Sequence, residues 1–275
     1  MPDRPPAAVQ DSRKAAVLGS PIAHSRSPQL HLAAYRALGL PSWSYERIEC
    51  TAEQLPGLVG GLGPEWVGLS VTMPGKFAAL QFADQRTERA ELVGSANTLV
   101  RLATGGWRAD NTDVDGVVGA LGTAGASALV IGSGGTAPAA VVGLAELGVQ
   151  RITIVARDAG KASRLVELAG RCGAQGSWCD IGGAALADAV ATADAAVSTI
   201  PADAAAAYAH TLAAVPRLLD AIYDSWPTPL AEAVQAAGGE AINGLQMLLN
   251  QAFAQVEQFT GMPAPKEAMR AALLG

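Results

Sequence analysis

A glycine-rich turn in the middle of the chain has the composition of a phosphate-binding loop. An apolar run over residues 128–131 leads into the turn, and a helix-length segment over residues 138–147 follows it. Glycine lets a backbone approach a pyrophosphate closely, and the start of a helix presents unpaired N–H groups and the positive end of its dipole. The order of strand, turn and helix therefore predicts a dinucleotide site. The turn residues predicted to hold the cofactor are Gly132, Ser133, Gly134, Gly135 and Thr136.

The end of the next apolar run decides which dinucleotide fits. Residues 152–155 are followed by Ala156, Arg157 and Asp158. An acidic residue at this point accepts a ribose hydroxyl of NAD, whereas an arginine pairs with the 2′-phosphate of NADP. Because Arg157 comes first, NADP is favoured over NAD. Asp158 is an awkward neighbour for a phosphate, and its other explanation is that it caps a helix beginning near Ala159.

A second group of polar side chains follows the first apolar run. Ser25 and Ser27 lie in the loop over residues 20–28, directly before a helix-length segment. Ser27 followed by Pro28 is a good N-cap and first-turn pair, so a purely structural role is one explanation. The two hydroxyls and the helix N-terminus would also form a receptor for a carboxylate. The residues alone leave both explanations open.

Apolar runs that alternate with helix-length segments must position these side chains. This alternation is typical of βαβ units around largely parallel sheets and predicts an α/β fold. The segment from Gly116 to Ala145 carries no charged residue, but its glycines and Pro138 interrupt it, so a buried core is predicted and not a membrane span. The predicted strands cover residues 15–19, 43–48, 66–70, 96–101, 128–131, 151–156, 195–199 and 217–221.

A polar cluster over residues 109–113 predicts a domain boundary, because it ends one βαβ unit and can cap a helix starting near Asp113. Residues 1–111, completed by C-terminal helices over residues 245–275, form the predicted substrate-binding and catalytic domain. Residues 112–244 form the predicted Rossmann domain. A central cleft is expected between the two domains, and residues 1–13 are expected to form a mobile tail.

The composition narrows the classes of partner. The 275 residues include 19 basic and 25 acidic side chains, and the net charge of -6 argues against nucleic acid. The three cysteines match no zinc pattern and fit a reducing cytoplasm. Residues 111–116 imitate the start of a calcium loop, but Gly122 stands where a bidentate acid is needed, so no metal is assigned. A small-molecule substrate is expected, without nucleic acid or membrane, and homodimer formation is left open.

Motifs along nearly the whole chain resemble those of the shikimate dehydrogenase family. The loop over residues 20–28 is similar to the family's Pro-Ile-x-His-Ser-x-Ser-Pro loop, which binds the substrate carboxylate. The resemblance implies reversible reduction of 3-dehydroshikimate to shikimate with NADPH, a step of chorismate and aromatic amino-acid biosynthesis. The other matching segments are Val71-Thr72-Met73-Pro74-Gly75-Lys76, Gly94-Ser95-Ala96-Asn97-Thr98, Asp110-Asn111-Thr112-Asp113, Ser198-Thr199-Ile200-Pro201, Asp220-Ala221-Ile222-Tyr223, Thr228-Pro229-Leu230 and residues 244–251.

The resemblance also implies a role for each matching residue. Lys76 and Asp113 would be the catalytic acid–base pair, because a group must take the hydroxyl proton as hydride leaves a carbinol, and Asp113 would orient the ammonium and the hydroxyl. The substrate would be bound by Ser25, Ser27, Thr72, Asn97, Tyr223 and Gln251. Beyond the glycine turn, the cofactor would be bound by Ala156, Arg157, Thr199, Ile222, Gly244 and Met247. Met247 is otherwise explained as a core residue.

Some positions depart from the family pattern: Ser70 stands where asparagine is common, Gly75 where phenylalanine is common, and Ala156 where asparagine often precedes the arginine. A close alternative is an NAD-preferring quinate/shikimate dehydrogenase of the same fold, against which Arg157 and the serine loop argue. A folate-interconverting dehydrogenase would have no evident use for that loop. A dinucleotide-binding regulatory protein without catalysis would not need Lys76.

Overall fold

The computed structural model of the chain describes residues 12–274, so the predicted tail lies outside the described residues except for Ser12 and Arg13. The chain divides into two compact units. Of the described residues, the first contains residues 12–87, Ala96–Asp110 and residues 253–274; the second contains Glu88–Ser95 and Asn111–Ala252. Residues 88–95, 111 and 245–252, which the sequence assigns to the first domain, thus belong to the second unit.

Strands and helices alternate along both units, which confirms the predicted α/β fold class. Up to residue 110 the elements are β1 (Lys14–Gly19), α1 (Ser27–Ala37), β2 (Ser44–Glu49), α2 (Leu55–Gly60), β3 (Trp66–Val71), α3 (Lys76–Phe82), β4 (Gln85–Arg86), α4 (Glu88–Val93), β5 (Thr98–Arg101) and β6 (Trp107–Asp110). The later elements are α5 (Asp113–Leu121), β7 (Ser127–Ile131), α6 (Ala137–Glu146), β8 (Arg151–Val155), α7 (Ala159–Arg171), β9 (Gln175–Cys179), α8 (Leu186–Ala191), β10 (Ala195–Ser198), α9 (Ala202–Ala206), α10 (Ala209–Leu212), β11 (Arg217–Asp220), α11 (Pro229–Ala236), β12 (Glu240–Asn243), α12 (Gly244–Thr260) and α13 (Lys266–Leu274).

The sheet of the first unit has the strand order β2-β1-β3-β5-β6-β4. β1 is parallel to β2 and β3, but β5 is antiparallel to both β3 and β6. The prediction of largely parallel pairing is therefore wrong for this part of the sheet. Residues 102–106 between β5 and β6 are too few for a parallel crossover, which needs about a dozen residues or more.

The sheet of the second unit is parallel throughout, in the order β12-β11-β10-β7-β8-β9. Counted from β7, this is the strand order of a Rossmann fold. Along β7, Ala128 and Val130 pack into one hydrophobic core, and Leu129 and Ile131 pack into another. Successive side chains of a strand point to opposite faces, so a continuous apolar run is what a strand covered on both faces requires.

The long uncharged segment over residues 116–145 forms most of α5, all of β7 and most of α6. Its apolar side chains contribute to the core of the second unit, as predicted. Among residues 12–274, none of the helices combines the length and the apolar character that a membrane crossing needs.

Candidate active site

A cavity in the second unit opens where the Rossmann order predicts a ligand. β7 and β10 are neighbours, and the chain continues from them to β8 on one side and β11 on the other. The carboxyl ends of two such strands leave a crevice between the loops that follow them. A cavity of about 660 Å³ lies here, and five of the predicted cofactor residues line it: Gly132, Ser133, Gly134, Ala156 and Arg157.

Glycine occurs in the turn after β7 for two different structural reasons. Gly132 has φ of 112°, and a Cβ atom there would lie 2.6 Å from the Thr199 hydroxyl oxygen. At Gly134 and Gly135 a Cβ atom would meet nothing within 4 Å. The first glycine therefore permits the turn itself, while the other two leave the backbone facing open space in front of α6. Such a cradle fits a pyrophosphate.

Two positive side chains, Arg157 and Lys161, line the cavity after β8. The carboxylate of Asp158 accepts a hydrogen bond from the Lys161 backbone N–H at 3.0 Å, and the Lys161 Nζ lies 3.9 Å from the same carboxylate. Asp158 is thus the N-cap of α7, which confirms the structural explanation for this residue.

Lys161 is absent from the predicted site, although it lies one helical turn after Arg157. Tyr208 and Ile181, which also line the cavity, have no sequence signal.

In the first unit, β2 holds the serine loop in place. Nε and Nη2 of Arg47 donate hydrogen bonds to the Ser25 carbonyl at 2.9 and 2.6 Å. The carboxylate of Glu49 accepts hydrogen bonds from the Ser20 hydroxyl at 2.6 Å and from the Ile22 N–H at 3.3 Å. Arg47 and Glu49 are two residues apart and therefore lie on one face of the strand. Neither is predicted from the sequence; their only signal is this spacing.

The predicted N-cap role of Ser27 is wrong. Helix α1 begins at Ser27 itself, and its N-cap is Arg26, whose side chain makes no capping hydrogen bond. The N–H of Ser27 donates instead to the Ser25 hydroxyl oxygen at 3.3 Å. Proline tolerates either of the first two helical positions, so Pro28 does not fix the helix start by itself. Helix capping therefore does not account for the Ser27 hydroxyl.

Thr72, Lys76 and Asn97 lie in segments that meet at the same edge of the first sheet as the serine loop. The Thr72 N–H donates to the Leu18 carbonyl at 2.8 Å, at the end of β1. The Ala96 N–H donates to the Lys76 carbonyl at 2.9 Å, and the Asn97 carbonyl accepts from the Val71 N–H at 2.7 Å. β1 and β3 are parallel, so their carboxyl ends share this edge; β5 is antiparallel, so its start lies there as well.

Asp113 and Gln251 are buried in the second unit and are connected through the start of α5. Asp113 is the first residue of α5, where the helix dipole favours a carboxylate, and its N–H donates to the Asn111 side-chain oxygen at 3.2 Å. The Thr112 hydroxyl donates to Gln251 Oε1 at 3.4 Å, and Gln251 Nε2 donates to the Leu248 carbonyl at 2.9 Å.

Asp220 organises the loop that carries Ile222 and Tyr223. Its carboxylate accepts hydrogen bonds from the Thr228 hydroxyl at 2.7 Å and from the Ile222 N–H at 3.2 Å. Burial raises the pKa of the Asp220 carboxyl, and these hydrogen bonds oppose the shift. Thr228 in turn caps α11 by accepting from the Ala231 N–H at 3.1 Å. Asp220 lies in one of the segments that resemble the shikimate dehydrogenase family, but no role is predicted for it from the sequence.

Gly244 and Met247 begin α12, and Thr199 follows β10. A Cβ atom at Gly244 would lie 2.4 Å from the Ala221 carbonyl oxygen, so only glycine fits there. Met247 is buried in the hydrophobic core of the second unit, as the core explanation requires. The Thr199 hydroxyl donates to the Ile131 carbonyl at 3.0 Å. The nicotinamide role of Gly244 and Met247 stays a prediction.

Two family models match parts of the chain. Residues 17–99 match the shikimate dehydrogenase substrate binding domain, and residues 244–274 match the shikimate 5'-dehydrogenase C-terminal domain. The matched segments include the serine loop, Lys76 and Asn97 in the first case, and Met247 and Gln251 in the second.

Three known proteins are similar over nearly their whole lengths. The NADP(+) shikimate dehydrogenase of Methylobacterium radiotolerans is 37% identical over 92% of this chain and 93% of its own. The crystal structure of shikimate 5-dehydrogenase from Mycobacterium fortuitum is 89% identical, with a TM-score of 0.92 over 97% of this chain and 99% of that one. The enzyme from Thermus thermophilus, in complex with NADP(H) and shikimate, is 26% identical, with a TM-score of 0.79 over 95% and 98%.

Proposed function

The chain belongs to the shikimate dehydrogenase family, and we propose that it catalyses the reversible, NADP-dependent reduction of 3-dehydroshikimate to shikimate. It is an oxidoreductase that acts on a ring carbinol of a small hydroxylated acid. The observation that carries the proposal is the meeting of Thr72, Lys76 and Asn97 at the sheet edge where the serine loop begins.

The first unit binds the substrate carboxylate through the hydroxyls of Ser25 and Ser27. Arg47 supports this role because its two hydrogen bonds to the Ser25 carbonyl hold the loop at the start of α1. Ring hydroxyls are bound by polar groups that would lose a partner if the hydroxyl were absent, so the site rejects ligands without them. The residues proposed for this binding are Thr72, Asn97, Asp113 and Gln251, with Tyr223 beside the carboxylate.

The second unit holds NADP in the cavity beside the glycine turn, with Arg157 at the 2′-phosphate. When bound, the cofactor would supply the hydride acceptor for oxidation of the carbinol carbon and, in its reduced form, the hydride donor for reduction of the carbonyl carbon. Lys161 supports the choice of NADP because it adds a second positive charge next to Arg157. The remaining proposed contacts are Ser133, Thr136, Ala156, Thr199, Ile222, Gly244 and Met247.

Lys76 and Asp113 handle the proton of the reaction. During oxidation of shikimate, the Lys76 amine takes the proton of the hydroxyl while the carbinol carbon loses its hydrogen as hydride, and the C–O bond becomes C=O. During reduction, the Lys76 ammonium gives the proton to the carbonyl oxygen. Asp113 orients the ammonium and the hydroxyl by accepting hydrogen bonds from both.

An NAD-preferring quinate/shikimate dehydrogenase is the alternative that a turnover assay separates. We expect NADP to be reduced with shikimate faster than NAD, and shikimate to be oxidised faster than quinate. Turnover only with NAD, or faster with quinate, would establish the alternative.

A cytoplasmic location is part of the proposal and is supported by Cys50, Cys172 and Cys179, which are all free thiols.

Arg157→Ala tests the cofactor assignment directly. Removing the guanidinium should raise the KM for NADP by roughly tenfold or more, because a charged hydrogen bond to phosphate is lost. The KM for NAD, which lacks the 2′-phosphate, should stay the same. Arg171→Ala, at the far end of α7, is the matched control. An equal rise for both cofactors would contradict the role of Arg157.

A further inference from the structure

A continuous chain of hydrogen bonds crosses the interior of the first unit and ends on Asn97. The Tyr45 hydroxyl donates to Ser70 Oγ at 2.6 Å, and the Ser70 hydroxyl donates to Gln255 Oε1 at 2.7 Å. Gln255 Nε2 then donates to Thr98 Oγ1 at 2.9 Å and to the Asn97 carbonyl at 3.1 Å. The Thr98 hydroxyl finally donates to Asn97 Oδ1 at 2.8 Å.

Every donor in this chain points the same way, and Gln255 sets the direction. Its oxygen accepts from Ser70, so its amide nitrogen faces Thr98. Thr98 Oγ1 accepts from Gln255, and its single proton is donated to Asn97 Oδ1. Gln255 is 1% exposed and Thr98 is fully buried. In such an interior, each reversed or missing partner would leave a polar atom unsatisfied.

The other end of the chain lies at the serine loop. Burial raises the pKa of the Tyr45 hydroxyl, and the neighbouring side chains of Ser70 and Ser27 oppose the rise. The ring of His31 stacks on Tyr45 at 4.0 Å and holds its position. The network therefore begins at Tyr45, beside a residue proposed for the substrate carboxylate, and ends on one proposed for a ring hydroxyl.

We propose that Gln255 and Thr98 are positioning residues that fix the orientation of the Asn97 side-chain amide. Because Thr98 holds Oδ1, the amide presents Nδ2 as its group for a substrate oxygen. The site then selects a ligand with an oxygen acceptor opposite Nδ2. The hydrogen bond from Thr98 keeps the amide from rotating. This inference rests on the proposed role of Asn97 in binding shikimate.

Thr98→Val tests the proposal, because it keeps the shape of the side chain and removes the donor to Asn97. We expect kcat/KM for shikimate to fall at least about tenfold, with a raised KM for shikimate and an unchanged KM for NADP. Thr98→Ser restores the hydroxyl and should recover most of the loss. Thr260→Val is the matched control, since the Thr260 hydroxyl forms hydrogen bonds with backbone groups of Val256 and Met262, at and just after the end of α12.

A double-mutant cycle separates positioning from a general structural effect. If Thr98 acts through Asn97, Thr98→Val should have little further effect on kcat/KM in an Asn97→Ala background. Additive losses would overturn the proposal. Gln255→Met and Ser70→Ala break the same chain at other points, so they give the test if Thr98→Val does not fold. Both should again raise the KM for shikimate selectively, and unchanged values would overturn the proposal.

The controls also distinguish this inference from the proposed function. If the unaltered protein does not oxidise shikimate, or Asn97→Ala has no effect, the proposed function or the role of Asn97 fails. If Asn97→Ala is impaired while Thr98→Val, Gln255→Met and Ser70→Ala are not, only the positioning role fails.

Discussion

At the scale of single residues, His31 is a titratable group buried in the interior of the first unit. Its ring is fully buried and stacks on Tyr45 at 4.0 Å and on Phe259 at 5.6 Å. Burial lowers its pKa from 6.5 to about 3, and the neighbouring Gln255 opposes the shift. His31 is therefore neutral in the folded protein at pH values where it takes up a proton in the unfolded chain.

This difference makes the stability of the protein depend on pH. Between pH 6.5 and about 3 the unfolded chain binds a proton that the folded protein does not, so stability falls as pH falls. His31→Phe keeps a stacked ring and removes this contribution. From pH 7 to pH 5 the unaltered protein should lose about 2 kcal/mol more free energy of unfolding than His31→Phe.

Urea unfolding at the two pH values measures this difference. His210→Phe, at an exposed histidine of α10, should behave like the unaltered protein. An equal pH dependence of the unaltered protein and His31→Phe would show that His31 does not titrate as its burial requires.

Residue types and spacing predict some site residues and miss others for a physical reason. Gly132, Arg157 and the serine loop are local signals, because each lies directly after a strand and acts on a ligand there. Arg47 and Gln255 act through partners that are 22 and up to 185 residues away in the chain. No local pattern contains such a pairing, so only the fold shows it. The prediction for Ser27 is wrong because the Ser-Pro pair does not by itself decide at which residue α1 begins.

At the scale of elements, the turn between β7 and α6 gives a prediction that separates binding from stability. A Cβ atom at Gly134 would meet nothing within 4 Å, yet this residue lines the cavity proposed for NADP. Gly134→Ala should therefore leave the melting temperature nearly unchanged and raise the KM for NADP roughly tenfold or more, because the methyl group occupies ligand space.

Gly170→Ala is the matched control, because a Cβ atom at this helical glycine also meets nothing within 4 Å. It should leave the KM for NADP unchanged and give a small gain in stability, as alanine favours a helix over glycine by about 1 kcal/mol. A normal KM for NADP in Gly134→Ala would contradict the proposed place of the pyrophosphate.

The eight predicted strands are all present, with ends shifted by one or two residues. Seven of them lie in a sheet interior, and β2 is an outer strand. The strands β4, β6, β9 and β12 are not predicted. Three of them are the outer strands of their sheets, where one side of the backbone pairing is open and polar residues are tolerated. The composition of β9, Gln-Gly-Ser-Trp-Cys, carries no strand signal for this reason.

At the scale of the whole molecule, each unit holds a different part of the proposed reaction. The first contains the serine loop and Lys76, and the second contains the glycine turn and Arg157. The family was predicted from motifs spread over nearly the whole chain, and the 92% coverage of a relative 37% identical agrees with that spread. The proton transfer by Lys76 accompanies the hydride transfer between the substrate and the cofactor, so the proposed reaction depends on it.

The most direct test follows the nicotinamide absorbance of NADP with shikimate for the unaltered protein, Lys76→Ala and the control Lys266→Ala, and measures shikimate binding by calorimetry. We expect the unaltered protein and the control to reduce NADP. Lys76→Ala should lose roughly 100-fold or more in kcat while it still binds shikimate, because general acid–base catalysis contributes at least about that factor. An unimpaired kcat in Lys76→Ala would contradict the proposed acid–base mechanism.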